Sequence, residues 1–225
     1  MKKIINGYEH ILYQPLDFTR QEVSDRASEF HHLLKGRRSI RSFSDKAVEK
    51  SVVEDIINTA ATAPSGANKQ PWSFCAISNQ EIKKAIREAA EQEEKKNYHE
   101  RMSEVWLKDL EPFATNWQKP FLEIAPWLIV VFKKSYEIDD DKQVKNYYVN
   151  ESVGIACGIL IAAIHNAGLV TLTHTPSPMN FLSGILERPS NEKPFLLLPV
   201  GYPEKDVYVP NISRKPQKEI LYYYE

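Results

Sequence analysis

Apolar positions along the chain fall into a few clear periods. Thr19-Arg20-Gln21-Glu22 has the form of a capping box and Gly36 that of a C-terminal stop, so a first helix is expected over about 20–35. Val52, Val53, Ile56, Ile57 and Ala60 repeat with helical spacing, and Pro64 ends that helix. An apolar strand is expected near 72–78. Asn79 can cap a third helix running from about 80 into the high nineties. Residues 98–118 scatter Trp106, Phe113 and Trp117 among charges, a poor core segment and a candidate lid over a site. Trp127–Phe132 is continuously apolar and reads as a strand buried on both faces. Residues 137–146 are charged and read as an exposed loop. Asn150–Asn166 follows as a helix carrying Gly154, Ala156, Gly158, Ala162 and Ala163, small enough to let another helix come close, and Gly168 ends it. Leu169–Thr173 and Phe195–Val200 read as further strands. The tail from 203 to 225 carries few core signals yet ends in Ile220-Leu221-Tyr222-Tyr223-Tyr224, which must dock, a partner subunit being the natural place. Helices interspersed with strands give an α+β or α/β class.

The 225 residues show no repeat, low-complexity tract or Pro/Gly-rich linker, and are read as a single domain. A net charge of -1 gives no overall pull toward nucleic acid or anionic lipid. The apolar run Val153–Ile164 is short for a bilayer span, and the polar N-terminus is not that of a signal peptide, so the expectation is a cytoplasmic protein without a membrane partner. Cys75 and Cys157 each sit in an apolar run and read as core thiols rather than a disulfide. No Cys/His cluster has ligand spacing, and adjacent His31 and His32 would point about 100° apart on a helix, so no metal is expected.

Chemistry concentrates in two short runs. Arg37-Arg38-Ser39-Ile40-Arg41 places three guanidinium forks together, an anion site. Pro64-Ser65-Gly66-Ala67-Asn68, with Pro71-Trp72 after it, is a turn whose backbone N–H groups can approach a phosphate or a flat ligand closely. Together they point to a phosphorylated cofactor with a planar ring. Neither a dinucleotide-binding glycine fingerprint nor a P-loop nor a nucleophile elbow is present, so the arginines are the leading phosphate ligands. Glu94 and Tyr98, at i and i+4, share one helix face, and Lys119 returns to it if 98–118 folds as a lid. A carboxylate, a phenol and an ammonium suit a zwitterionic amino acid. In Thr171-Leu172-Thr173-His174-Thr175-Pro176, strand alternation puts Thr173 and Thr175 on one side and His174 on the other.

Arg37–Trp72, Glu94–Lys119, Asn150–Pro176 and Leu197–Pro216 resemble the FMN-dependent nitroreductase superfamily, and specifically its iodotyrosine deiodinase branch. The resemblance implies a mixed central sheet flanked by helices in an intertwined homodimer, with FMN at the subunit interface and the arm 203–225 reaching across. It implies that Arg37, Arg38, Ser39, Arg41 and Arg214 hold the FMN phosphate and ribityl, with Pro64, Ser65, Gly66 and Asn68 supporting the flavin. Glu94, Tyr98 and Lys119 would clamp a halotyrosine zwitterion, and the Ala67 N–H would bond its phenolate. Thr173, His174 and Thr175 would pass the flavin edge, one threonine hydroxyl bonding N5 and favouring one-electron transfer; spacing does not choose between Thr173 and Thr175. His174 departs from the threonine-rich run of the branch. The function implied is reductive dehalogenation of halotyrosines, with electrons from NAD(P)H or a separate reductase. A general NAD(P)H-dependent nitro- or quinone reductase needs the same phosphate site without the clamp, and a non-catalytic binder of FMN or tyrosine-like amino acids needs no reductant at all.

Overall fold

The computed structural model describes residues 1–140 and 142–225. These divide into two compact units, Met1–Arg37 and Arg38–Glu225. The first holds a two-stranded hairpin, β1 (Lys2–Ile5) and β2 (Tyr8–Ile11), followed by α1 (Arg20–Lys35). The hairpin turn is Asn6-Gly7, both at positive φ (51° and 85°). This asparagine–glycine pair between apolar residues is the preferred two-residue connection, and the sequence reading passed over it. α1 opens with the expected capping box: the Glu22 N–H donates to Thr19 Oγ1 (3.3 Å), and the Thr19 N–H donates to Glu22 Oε2 (2.8 Å).

The second unit is built on one sheet. Its elements are α2 (Lys50–Ala61), β3 (Trp72–Ile77), α3 (Gln80–Lys96), α4 (Glu104–Leu110), α5 (Phe121–Ile124), β4 (Trp127–Lys134), β5 (Tyr136–Asp139), β6 (Lys142–Lys145), α6 (Val149–Asn166), β7 (Val170–Thr171), α7 (Phe181–Ile185) and β8 (Glu192–Gly201). The sheet order is β3-β4-β8-β7, all antiparallel. A parallel bridge from Ser39 to Thr171 at its edge supplies the mixed character.

The continuous apolar run of β4 has a simple cause: both faces of the sheet are covered. Ile129 and Val131 point to one side, where Val53, Ile56 and Ala60 of α2 and Val153, Ala156, Leu160 and Ile164 of α6 meet them. Leu128, Val130 and Phe132 point to the other, against Ile86 and Ala90 of α3, Phe121 and Leu122 of α5 and Leu182 of α7. Asn79 caps α3 as expected, its side chain accepting from the Ile82 N–H at 3.0 Å. α6 has the length and composition of a bilayer span, and it packs five buried residues, Val153, Ala156, Cys157, Leu160 and Ile164, into the first of these layers.

Two expectations change. Residues 137–146 are not simply a loop: β5 and β6 pair from Tyr136↔Lys145 to Asp139↔Lys142, because Tyr136 and Ile138 alternate with charged residues and make a short hairpin; Asp141 lies outside the described residues. The strand expected at Leu169–Thr173 is shorter, Val170–Thr171, although its pairing with β8 resumes in the same register at His174↔Leu197. The candidate lid 98–118 is built of a π-helical turn at Asn97–Arg101, α4 capped by Ser103, and a 3₁₀ turn ending at left-handed Ala114 (φ 47°). Cys75 and Cys157 are free thiols.

The end of β8 is closely packed. A Cβ on Gly201 would lie 2.5 Å from Pro126 Cδ and 2.9 Å from Pro126 Cγ, a rigid ring that cannot turn aside. Gly201→Ala is expected to destabilise the protein by about 2 kcal/mol, lowering the melting temperature by about 4–8 °C in a thermal scan.

Candidate active site

On the core-facing stripe of α3, Ile82, Ile86 and Ala90 are followed at the same i, i+4 interval by Glu94, so a carboxylate stands where the pattern calls for an apolar side chain. It is 7% exposed. Lys119, 4% exposed, reaches it from the loop before α5, its Nζ 3.6 Å from Glu94 Oε2. The loop is held by the Lys119 N–H donating to Glu91 Oε1 (2.7 Å) and the Leu122 N–H donating to the Lys119 carbonyl (3.0 Å). Lys119 Nζ also donates to Thr115 Oγ1 (3.4 Å) and to the Asn116 carbonyl, and lies 5.4 Å from the centre of the Tyr98 ring. Burial pushes the Glu94 carboxyl up and the Lys119 ammonium down, and each is opposed by the other's charge. Burial likewise raises the Tyr98 phenol.

The second wall is the strand after β7. His174 exchanges backbone hydrogen bonds with Leu197 (2.9 and 3.1 Å), which fixes the alternation. His174 and Pro176 are buried, and Thr173 and Thr175 are exposed. The imidazole of His174 therefore sits under the strand, edge-on to Phe121 at 5.8 Å between ring centres, with Nε2 unpartnered. Burial, reinforced by the positive charges of Lys119 and Arg41, pushes it down to about 3, so the ring is neutral.

Between these walls lies a cavity of about 160 Å³ whose lining includes Arg41, Glu94, Tyr98, Lys119, Thr173, His174 and Thr175. The clamp residues and threonines singled out in the sequence thus meet in one place. A larger depression of about 660 Å³ adjoins it and shares Arg41, Thr115 and Phe121. Its charged wall is satisfied locally, Arg87 pairing with Glu91 (2.8 Å) and Glu123 (2.5 Å), so the unusual chemistry gathers in the smaller cavity.

The arginine run separates. Arg41 faces the cavity, half-buried, with its guanidinium 5.8 Å from the centre of the Phe113 ring. Arg38 donates instead to the Pro210 carbonyl at the base of the C-terminal arm, and Ser39 bridges to Thr171. Arg37 closes the first unit, and Arg214 lies exposed in the arm. The turn at Pro64, Ser65, Gly66, Ala67 and Asn68 does not line the cavity. The Gln70 N–H donates to Ser65 Oγ (2.9 Å), and Ala67 and Asn68 take left-handed φ of 49° and 53°. Gly66 is packed against the start of α6, where a Cβ would lie 3.0 Å from Tyr148 Cδ2 and 3.2 Å from the Tyr147 carbonyl oxygen.

The sequence pattern of the nitroreductase family matches residues 34–202. An iodotyrosine deiodinase from Haliscomenobacter hydrossis is 55% identical to this chain over 95% of its length and 97% of the relative's. The chain belongs to the nitroreductase family, in its iodotyrosine deiodinase branch. Human iodotyrosine deiodinase 1 is 44% identical over 95% of this family member and 74% of the human protein. A crystal structure of oxidized iodotyrosine deiodinase bound to FMN and 3-iodo-L-tyrosine superposes with a TM-score of 0.74 at 29% identity, covering 87% of this chain and 99% of that one.

The cavity also holds residues that the sequence reading did not single out, among them Asn97, Thr115, Phe121 and Ser177. Asn97 had a usable signal, being next to Tyr98 and one helical turn from Glu94. Thr115, Phe121 and Ser177 reach the site through the tertiary fold, and no local pattern marks them.

The buried His174 carries a pH signature. Its folded-state value, near 3, is below the usual value near 6.5, so as pH falls the unfolded chain takes up the proton first. Its contribution to stability is complete above about pH 6.5 and is lost toward pH 3, with a slope of about 1.4 kcal/mol per pH unit. Denaturant unfolding between pH 7 and 5 is expected to show this slope in the wild type and to lose it in His174→Asn; parallel curves for the two proteins would contradict the assignment.

Proposed function

We propose that this chain is an FMN-dependent reductive dehalogenase of halogenated tyrosines. The observation that carries the reading is the buried Glu94–Lys119 pair, with Tyr98 beside it, opening on the same cavity as Thr173 and Thr175. A substrate zwitterion replaces the direct ion pair with two: Glu94 takes the ammonium, and Lys119 and the Tyr98 hydroxyl take the carboxylate. The opposed shifts of Glu94 and Lys119 favour this exchange, since each buried charge gains a partner with better geometry. A general nitro- or quinone reductase has no use for such a clamp.

The donor set fits FMN. Exposed threonine hydroxyls on one strand face suit a flavin edge, and Arg41, on the same cavity, suits the ring end of the cofactor. The resemblance implies that Arg37, Arg38, Ser39, Arg41 and Arg214 take the phosphate and ribityl; the place of Arg41 on the cavity favours the ring end for that one residue instead. FMN, when bound and reduced, supplies the two electrons that let halide leave as an anion while a proton takes its place on the ring. One of Thr173 and Thr175 would donate to flavin N5, with neutral His174 beside them in the lining of the same cavity. The turn 64–68 comes from a second copy of the chain in a homodimer, where Ala67 offers its N–H to the phenolate and Pro64, Ser65, Gly66 and Asn68 support the flavin. The exposed Ile155, Gly154 and Gly158 on α6 and the exposed Tyr222–Tyr224 in the arm favour such a dimer. Electrons come from NAD(P)H or a separate reductase. The free thiols favour a reducing compartment, the cytoplasm.

The test is iodide release from 3-iodo-L-tyrosine by the FMN-loaded, chemically reduced protein. Glu94→Gln is expected to weaken 3-iodo-L-tyrosine binding by about ten- to a hundredfold while leaving FMN binding intact. Equal losses of both would remove the role given to Glu94. Fast nitroaromatic reduction without iodide release would favour the general reductase, and flavin that stays reduced on mixing with 3-iodo-L-tyrosine would mark a binder.

A further inference from the structure

Glu94 and Tyr98 belong to the end of α3 and the turn after it; Thr173 and Thr175 belong to a strand segment far away in sequence. One buried side chain joins the two. Asn97 is 7% exposed, and its Nδ2 donates to the Ser177 carbonyl at 3.1 Å. Its Oδ1 accepts from Arg101 Nη1 at 3.2 Å, and the same Arg101 nitrogen donates to the Ser177 carbonyl (3.1 Å) and to Glu93 Oε2 (2.9 Å). The Asn97 carbonyl accepts from the Met102 N–H at 2.9 Å, closing the π-helical turn from which Tyr98 projects. Such a turn holds a residue more than an α-turn and commonly re-aims a side chain at a functional site. Ser177 lies two residues beyond Thr175. Every polar atom of the buried amide is therefore spent on linking the clamp to the threonine strand or on shaping the turn that carries the clamp.

We propose that Asn97 is a positioning residue that couples the amino-acid clamp to the flavin-facing threonines, an inference that rests on the function proposed above. With the Asn97–Ser177 link in place, a ligand that seats Glu94 and Tyr98 also sets the height of Thr173 and Thr175 against the flavin. Without it, only the partly exposed Arg101 still ties the turn to the Ser177 carbonyl, and the two walls are coupled more loosely. An amide that only held the turn together would affect folding and FMN retention, and would not alter how the bound flavin senses the amino acid.

Asn97→Asp separates these roles, because it keeps an acceptor for Arg101 and removes the donor to Ser177; Asn97→Leu removes both. The measurement is titration of each FMN-loaded protein with 3-iodo-L-tyrosine, following the visible spectrum of the bound flavin to saturation, beside melting temperature and FMN affinity. Asn97→Asp is expected to keep wild-type FMN affinity, to lower the melting temperature less than Asn97→Leu does, to bind 3-iodo-L-tyrosine about tenfold more weakly, and to show a smaller spectral change at saturation. A saturating spectral change equal to that of the wild type in Asn97→Asp overturns the proposal, whatever the affinity. Should the wild type itself fail to bind 3-iodo-L-tyrosine, the proposed function falls and takes this inference with it; if the wild type binds and the variant is indistinguishable, the inference falls alone.

Discussion

A carboxylate and an ammonium withdrawn from water must find each other or lose their charge, and Glu94 and Lys119 do so across 3.6 Å. Much of the local architecture serves that requirement. α3 must run a full turn past its last apolar contact to present Glu94, and the loop before α5 must be tethered to Glu91 to present Lys119. Two hydrophobic side chains of the same size would pack there at lower cost in desolvation. The retention of charge in so apolar a place is the mark of a surface built to meet a charged ligand rather than to hold the fold together.

The sheet makes that arrangement possible. Because β4 is buried on both faces, the helices fall into two layers, and the layer of α3, α5 and α7 keeps the cavity walls on one side. Phe121 links the two purposes. It belongs to the core beneath α3, follows Lys119 by two residues, and meets the ring of His174 under the threonines. Core packing and ligand contact are thus separated by one side-chain layer.

How much of this was legible in the sequence depended on the range of the determining contacts. The capping box at Thr19, the cap at Asn79, the helical stripe of α2 and the two-sided burial of β4 are consequences of neighbours in the chain, and they were readable there. The β5–β6 hairpin was obscured because its charges outnumber Tyr136, Ile138 and Val144, and the first hairpin because four residues of weak strand character flank its Asn6-Gly7 turn. Glu94 and Tyr98 could be paired by spacing alone, but Lys119 joined them only on the condition that 98–118 folds back as a lid, since nothing local brings a loop back over a helix. Arg41 parted from Arg38 for a similar reason: side chains three residues apart on extended backbone lean to different sides, which composition cannot register.

The alternation after β7 has a consequence for how this protein can vary. With His174 and Pro176 turned inward and Thr173 and Thr175 outward, the two layers accept change under separate rules. An inward position answers to volume and can drift among residues that fit beneath the strand, as a histidine has done here in a run that the resemblance expects to be threonine. An inserted or deleted residue between Thr171 and the Ser177 anchor has no such freedom, for it would exchange the layers wholesale, turning hydroxyls into the core and the imidazole out to the exposed face. The length of this short segment is therefore under tighter constraint than most of the letters within it.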